Sequence, residues 1–231
     1  MGHRTLLLAL AIALPGIGAL GGTWVGAGWI WDAANAIGFS AAALMIFLHI
    51  ETGAARNRPA PQAAFHARLH ANVAVLALIL VALHAGMLLA DDWLTLEYWK
   101  LSAPAYMLAG LGGALVLVAI VTSSYPRPRC FLFESAAQFR RIHGIAALTL
   151  SGLITWHIAG SALYLDTPFK QAGGGVALVG LPLWLLRRPA RQRPVVDALR
   201  REPDTAKHEV VYIGVGAVCL AIVYSLARNL L

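Results

Sequence analysis

Two stretches decide the fold: HARLHANVAVLALILVALHAGMLLA, residues 66–90, and FRRIHGIAALTLSGLITWHIAGSALYL, residues 139–165. Each carries two histidines fourteen positions apart (84 − 70 and 157 − 143), namely His70 with His84 and His143 with His157. At about 100° per residue, fourteen steps end about 40° short of four full turns, so both imidazoles of a pair leave a helix on one face. The two levels are roughly 21 Å apart along the helix axis, and a hydrocarbon core about 30 Å thick holds one level in each leaflet.

The composition is that of an integral membrane protein. The 231 residues are 59% hydrophobic and 13% charged, and the mean hydropathy is +0.68. Apolar runs long enough to cross a bilayer recur along the chain, which predicts an all-α membrane protein with seven spanning segments. In order, the predicted segments are Thr5–Gly22, Ala33–Ile50, His66–Ala90, Ala103–Thr122, Phe139–Leu165, Phe169–Leu186 and Val210–Leu226.

The first and sixth segments are the least regular. The first follows His3 and Arg4 and also resembles a secretory signal, but it is long enough to span, so we expect it to be retained. The sixth contains Pro182 and has three successive glycines, residues 173–175, near its start.

Most basic residues lie before the first segment or near every second connection between segments. Fifteen of the 18 Lys and Arg residues lie before the first segment or around the connections two to three, four to five and six to seven. The positive-inside rule therefore places the N-terminus in the cytoplasm and the C-terminus outside. The basic run at residues 187–201 could also contact nucleic acid, but beside membrane segments it favours a topology signal next to anionic lipid headgroups. We expect no nucleic-acid partner.

The matched histidines predict a cofactor site. The third and fifth segments run in the same direction, because one segment lies between them, so their histidine levels can face each other. Packing alone does not require the same spacing twice, and polar side chains at bilayer depth usually mark function. We therefore predict two stacked b-type hemes, one between His70 and His143 and one between His84 and His157. Bis-imidazole ligation fills both axial positions of the iron, which suits electron transfer. No Cys-x-x-Cys-His sequence occurs, so the hemes are expected to be non-covalent.

Nearby residues extend this ligand set or compete with it. His66 lies one turn before His70 and could replace it, but its spacing of eighteen positions (84 − 66) breaks the match with the other segment. The arginines that could pair with heme propionates, unless they serve only the positive-inside rule, are Arg68, Arg140 and Arg141. The small residues that would let a flat macrocycle approach, or serve ordinary helix packing, are Gly86, Gly144, Gly152 and Gly160.

These residues resemble a known family. The stretch Val121-Thr122-Ser123-Ser124, then Arg127, Arg129 and Phe139–Gly144, with His157 in the same segment, is similar to the ferric reductase-like transmembrane domain superfamily. That superfamily includes NADPH oxidases, ferric reductases and the heme-bearing membrane partner of the bacterial periplasmic methionine sulfoxide reductase. The resemblance implies a six-helix di-heme domain over residues 1–190, two b hemes between the third and fifth helices, and the ligands His70, His84, His143 and His157.

The chain departs from many members after the sixth helix. Where NADPH oxidases continue into a cytosolic flavin and nicotinamide module, this chain has a basic cytoplasmic loop, residues 191–209, and an additional C-terminal transmembrane helix, residues 210–231. We expect no flavin or nicotinamide site in this chain, and a separate electron donor, either a flavin reductase or a quinol.

The resemblance implies an oxidoreductase membrane subunit in a bacterial inner membrane, with its C-terminus in the periplasm. Electrons would pass from a cytoplasmic-side donor to ferric iron or a periplasmic acceptor protein, and no catalytic acid, base or nucleophile is expected. Two alternatives are a quinol-linked cytochrome b subunit and a transporter or structural membrane protein whose histidines only form hydrogen bonds between helices.

Overall fold

A computed structural model describes residues 28–55, 60–161, 167–180 and 205–230, together with Gly18 and Leu183. The regular structure in these ranges is helical. A 3₁₀ helix lies at Trp93–Trp99, and a π-helical turn at Val176–Gly180. The α-helices are α1, Trp29–Ala55; α2, Ala60–Asp91; α3, Ala105–Ser124; α4, Pro126–Leu132; α5, Ala136–Ser161; α6, Pro168–Gly175; and α7, Thr205–Leu230.

Five of these helices are long and apolar enough to cross a membrane. The spanning parts are Trp29–Ile50, Ala64–Asp91, Ala105–Ser124, Ala136–Ser161 and Val210–Leu230. They confirm the second, third, fourth, fifth and seventh predicted segments as helices, with ends that differ by a few residues. The first predicted segment lies outside the described residues except for Gly18. The sixth is described only in part, as α6 followed by the π-helical turn.

One compact unit contains α1, α2 and α7. The face of α1 that packs in this unit consists mostly of small residues, including the buried Ala33, Ala34 and Ala41, which allow neighbouring helices to approach closely. Gly214 likewise allows α7 to approach α2 closely, because a Cβ atom at Gly214 would lie 2.6 Å from Leu76 Cδ1. Helix α7 is therefore an integral part of this unit.

The second compact unit covers Leu94–Leu183. In this unit α3 packs on α5 through buried residues at every fourth position, namely Ala109, Gly113, Leu117 and Val121. Helix α4 begins with Pro126 at its first position, where the missing N–H is not needed for a helical hydrogen bond. Large apolar side chains such as Leu115 and Ile145 are exposed, as lipid-facing positions require.

Candidate functional site

His84 of α2 is fixed by a hydrogen bond to the neighbouring helix. Its Nδ1 atom lies 2.8 Å from the backbone oxygen of Ala34 in α1. A carbonyl oxygen can only accept, so Nδ1 carries the proton and donates. In this tautomer Nε2 carries the lone pair, and Nε2 is therefore the nitrogen by which this imidazole would ligate a metal. A hydrogen bond from the other ring nitrogen is the usual way in which proteins orient a histidine ligand.

Gly38 provides the space for this imidazole. A Cβ atom at Gly38 would lie 2.9 Å from Nδ1 of His84, which is closer than real Cβ contacts, and a tight 3.1 Å from Cε1. Ala34 and Gly38 are four residues apart, so they lie one turn apart on the same face of α1. One face of α1 thus supplies both the hydrogen-bond acceptor for His84 and the space for its ring.

His157 of α5 has the same surroundings in the second unit. Its Nδ1 atom lies 3.0 Å from the backbone oxygen of Tyr106 in α3. A Cβ atom at Gly110 would lie 2.6 Å from Nδ1 and 2.8 Å from Cε1 of this imidazole. Tyr106 and Gly110 are again four residues apart. The same argument gives a protonated Nδ1 and puts the lone pair of this imidazole on Nε2.

The two arrangements form an internal repeat. The residues whose carbonyls accept these hydrogen bonds, Ala34 and Tyr106, are offset by 72 positions (106 − 34), as are the glycines Gly38 and Gly110 (110 − 38). The histidines are offset by 73 positions (157 − 84 and 143 − 70). Arg68 and Arg141, each two residues before the first histidine of its helix, follow the same offset of 73 (141 − 68). The histidine spacing alone does not identify the glycines on the preceding helices. A comparison of the chain with itself at this offset could have found them.

The first histidine of each helix lies four turns from the second. His70 and His143 are both half-buried. The ring of Phe139, one turn before His143, lies 5.2 Å from it, and the guanidinium carbon of Arg129 lies 5.4 Å from the centroid of the Phe139 ring. Arg129 is exposed, so an aromatic contact links a basic surface residue to His143.

The remaining predicted site residues differ in exposure. Arg140 and Arg141 are exposed, whereas Arg68 is half-buried with its Nε atom inside the protein. His66 makes an edge-on contact with Phe65, with ring centroids 5.6 Å apart.

The glycines beside the predicted ligands separate into two groups. A Cβ atom at Gly160 would lie 2.3 Å from Cβ of Tyr106, so this glycine serves the close packing of α5 on α3. Among the described residues, no atom lies within 4 Å of a Cβ atom built at Gly86, Gly144 or Gly152. The helix-packing explanation therefore accounts for Gly160, and the other three glycines have no such contact in the described part of the chain.

A cluster of three or more His, Cys, Asp or Glu side chains that could bind a metal ion is not found in the described ranges. A bis-histidine heme requires only two protein ligands, so it does not need a cluster of this kind. Comparisons with protein-family models, with curated proteins and with solved structures give no match to this chain.

Proposed function

We propose that this protein conducts electrons across a membrane through two non-covalent b-type hemes. His70 and His143 ligate one heme, and His84 and His157 ligate the other. Electrons enter from a donor on the cytoplasmic side and leave to ferric iron or to a periplasmic acceptor protein. The C-terminus then lies in the periplasm of a bacterial inner membrane.

The observation that carries the proposal is the repeated environment of His84 and His157. Each donates from Nδ1 to a carbonyl of the preceding long helix, and each ring lies against a glycine one turn further along that helix. A histidine that serves only helix packing does not need the same tautomer and the same glycine twice. Two heme ligands need both the tautomer and the glycine, because the tautomer puts the lone pair on Nε2 and the glycine leaves space for the ring.

The donor set fits a b-type heme. Two neutral imidazoles would hold each heme, and heme, when bound, would supply one-electron transfer between its ferric and ferrous states. The chain's own residues orient the rings: the carbonyls of Ala34 and Tyr106 hold the Nδ1 protons, and a hydrogen bond to Nδ1–H increases the basicity of Nε2.

The basic ends of the segments support electron entry from the cytoplasm. The contact between Arg129, Phe139 and His143 lies at the end of α5 that the charge distribution assigns to the cytoplasm. We place the donor in a separate molecule, a flavin reductase or a quinol. Gly16, Gly18 and Gly21 have the spacing of a dinucleotide fingerprint, but that motif functions after a β-strand and these glycines lie in an apolar segment predicted to be helical.

Sealed vesicles test this proposal. The purified protein is reconstituted with ferricyanide in the lumen, and the exposed Cys130 is labelled with a membrane-impermeant maleimide to determine how many copies have the basic end outward. Dithionite added outside should reduce the internal ferricyanide much faster than in protein-free vesicles. His84→Ala should lower the rate to that background. Equal rates in vesicles with the wild-type protein and with His84→Ala would contradict transmembrane electron transfer through this site.

A further inference from the structure

Helix α7 joins the start of α1 through a buried polar contact. Asp32, in the first turn of α1, has 1% of its side chain exposed. Its Oδ2 atom accepts a hydrogen bond of 3.0 Å from Nδ2 of Asn229 and lies 3.8 Å from Nε of Arg228. Asn229 also donates to the backbone oxygen of Ser225, at 2.8 Å, so its amide is held by α7 itself. Arg228 is 12% exposed.

The helix termini favour this pair, but burial opposes it. A carboxylate at the N-terminus of α1 and a guanidinium at the C-terminus of α7 each interact favourably with the helix dipole. Removing two charges from water costs several kcal/mol per ion, and an apolar pair of similar volume is often no less stable. Packing of α7 on α1 therefore does not by itself explain why a charged pair occupies this position.

The pair lies beside the helix segment that holds His84. Asp32 comes two residues before Ala34, which corresponds to roughly 3 Å along the axis of α1. The carbonyl of Ala34 accepts the Nδ1 proton of His84. A charge in the protein interior is weakly screened, and charges and hydrogen bonds around a ligating histidine tune the metal that it binds.

We infer that Asp32, with Arg228 and Asn229 of α7, is a positioning and charge-setting group for His84, and that it sets the reduction potential of the heme that His84 ligates. This inference rests on the proposed function. In the intact protein the Arg228 charge compensates the Asp32 charge. The role of α7 is then to bring the compensating cation and the amide to the first turn of α1. In the second unit, the described residues that follow α5 along the chain, α6 and the π-helical turn, contact α5.

Potentiometric titration of the purified protein tests the inference. The heme signal that belongs to His84 is the one absent from His84→Ala. Asp32→Asn leaves an uncompensated positive charge, which should raise the midpoint potential of this heme, because the ferrous state carries one positive charge fewer. Arg228→Gln leaves an uncompensated negative charge and should lower the midpoint potential.

The double variant Asp32→Asn/Arg228→Gln should return close to the wild-type potential, and Arg228→Lys should keep the wild-type potential. The other heme should shift much less in all four variants. Lys100→Gln, in an exposed pair with Glu97, is the control and should leave both potentials unchanged.

Shifts of opposite sign that cancel in the double variant support the inference. Two single variants that shift the potential in the same direction, or not at all, overturn it. If neither single variant retains heme, the double variant decides: restored heme with the wild-type potential supports charge compensation, and loss of heme there overturns it. A wild-type protein that binds no heme overturns the proposed function, and this inference with it, whereas heme with unaltered potentials overturns this inference alone.

Discussion

The two compact units share one arrangement and differ in what surrounds it. In the first unit His84 lies against α1, and in the second His157 lies against α3, each with its Nδ1 bonded to a backbone oxygen and its ring beside a glycine. The first unit adds α7 and the buried pair of Asp32 and Arg228. The second adds the short helix α4 with the contact between Arg129 and Phe139.

The features that both units share separate from those that only one unit has. A feature present in both units belongs to the common task of holding an imidazole in one tautomer. A feature present in one unit belongs to that unit's own surroundings. In the proposed function, ligation of heme therefore rests on the shared features, charge compensation on α7, and contact with a donor on the basic surface around α4.

The largest expected effect concerns the pairing of histidines between the units. The double variant His84→Ala/His157→Ala should retain one heme per chain, as either single variant should, because we propose that both residues ligate the same iron. The double variant His84→Ala/His143→Ala should retain none, because each substitution removes a different heme. Pyridine hemochrome counts on the purified variants measure this.

Two outcomes would break the pairing. If His84→Ala/His157→Ala lost both hemes while His84→Ala/His143→Ala kept one, His84 would pair with His143 and His70 with His157. His66→Ala is the control and should keep two hemes. Loss of a heme from His66→Ala, with none lost from His70→Ala, would show that His66 is the ligand.

The next largest effect concerns the ion pair that only the first unit has. Arg228→Gln leaves the buried Asp32 carboxylate uncompensated and should destabilise the protein by about 3 kcal/mol. Lys100→Gln breaks a pair whose side chains are 60% and 59% exposed, and should cost less than about 1 kcal/mol. Thermal unfolding in detergent, followed by circular dichroism, measures both. Equal losses of stability in the two variants would contradict a structural difference between the buried and the exposed pair.

A smaller effect is expected at the glycines. A Cβ atom would lie 2.6 Å from His157 Nδ1 in Gly110→Ala and 2.9 Å from His84 Nδ1 in Gly38→Ala, so the first substitution should cost more. Overpacking of this kind costs about 1–3 kcal/mol. Gly112→Ala is the matched control in α3, because its Cβ atom would lie an ordinary 3.7 Å from Leu153 Cδ1.

Retention of heme absorbance during heating measures the effect of these substitutions. Heme should be lost at the lowest temperature in Gly110→Ala, then in Gly38→Ala, and last in Gly112→Ala. If Gly112→Ala lost heme as early as Gly110→Ala, the close approach of the imidazole would not be the cause.

The sequence predicted the long helices because apolar composition and length determine them. Segments two to five and seven are helices in the structure, although α1 begins at Trp29, four residues before the predicted start at Ala33. The short helix α4 was not predicted, because Pro126 and Pro128 indicate a break. Both prolines lie in its first turn, where their missing N–H groups have no helical acceptor to lose.

The candidate site was predictable only in part. The spacing of fourteen positions identifies four histidines on two helix faces, since helical periodicity depends on sequence separation alone. The acceptors of the Nδ1 protons are backbone oxygens, which carry no sequence signal, and Gly38 and Gly110 resemble the many small residues of membrane helices. The partnership of Asp32 with Arg228 joins residues 196 positions apart (228 − 32), and only the packing of α7 on α1 brings them together.

The proposed function requires that the two matched histidine pairs hold two hemes. A pyridine hemochrome determination on wild-type protein, expressed with a heme precursor in excess and normalised to the protein concentration from amino-acid analysis, tests it most directly. We expect two non-covalent b hemes per chain, both low-spin and bis-imidazole in the electron paramagnetic resonance spectrum. A reproducible value of one heme per chain would contradict one of the two pairs, and protein purified without heme would contradict the claim as a whole.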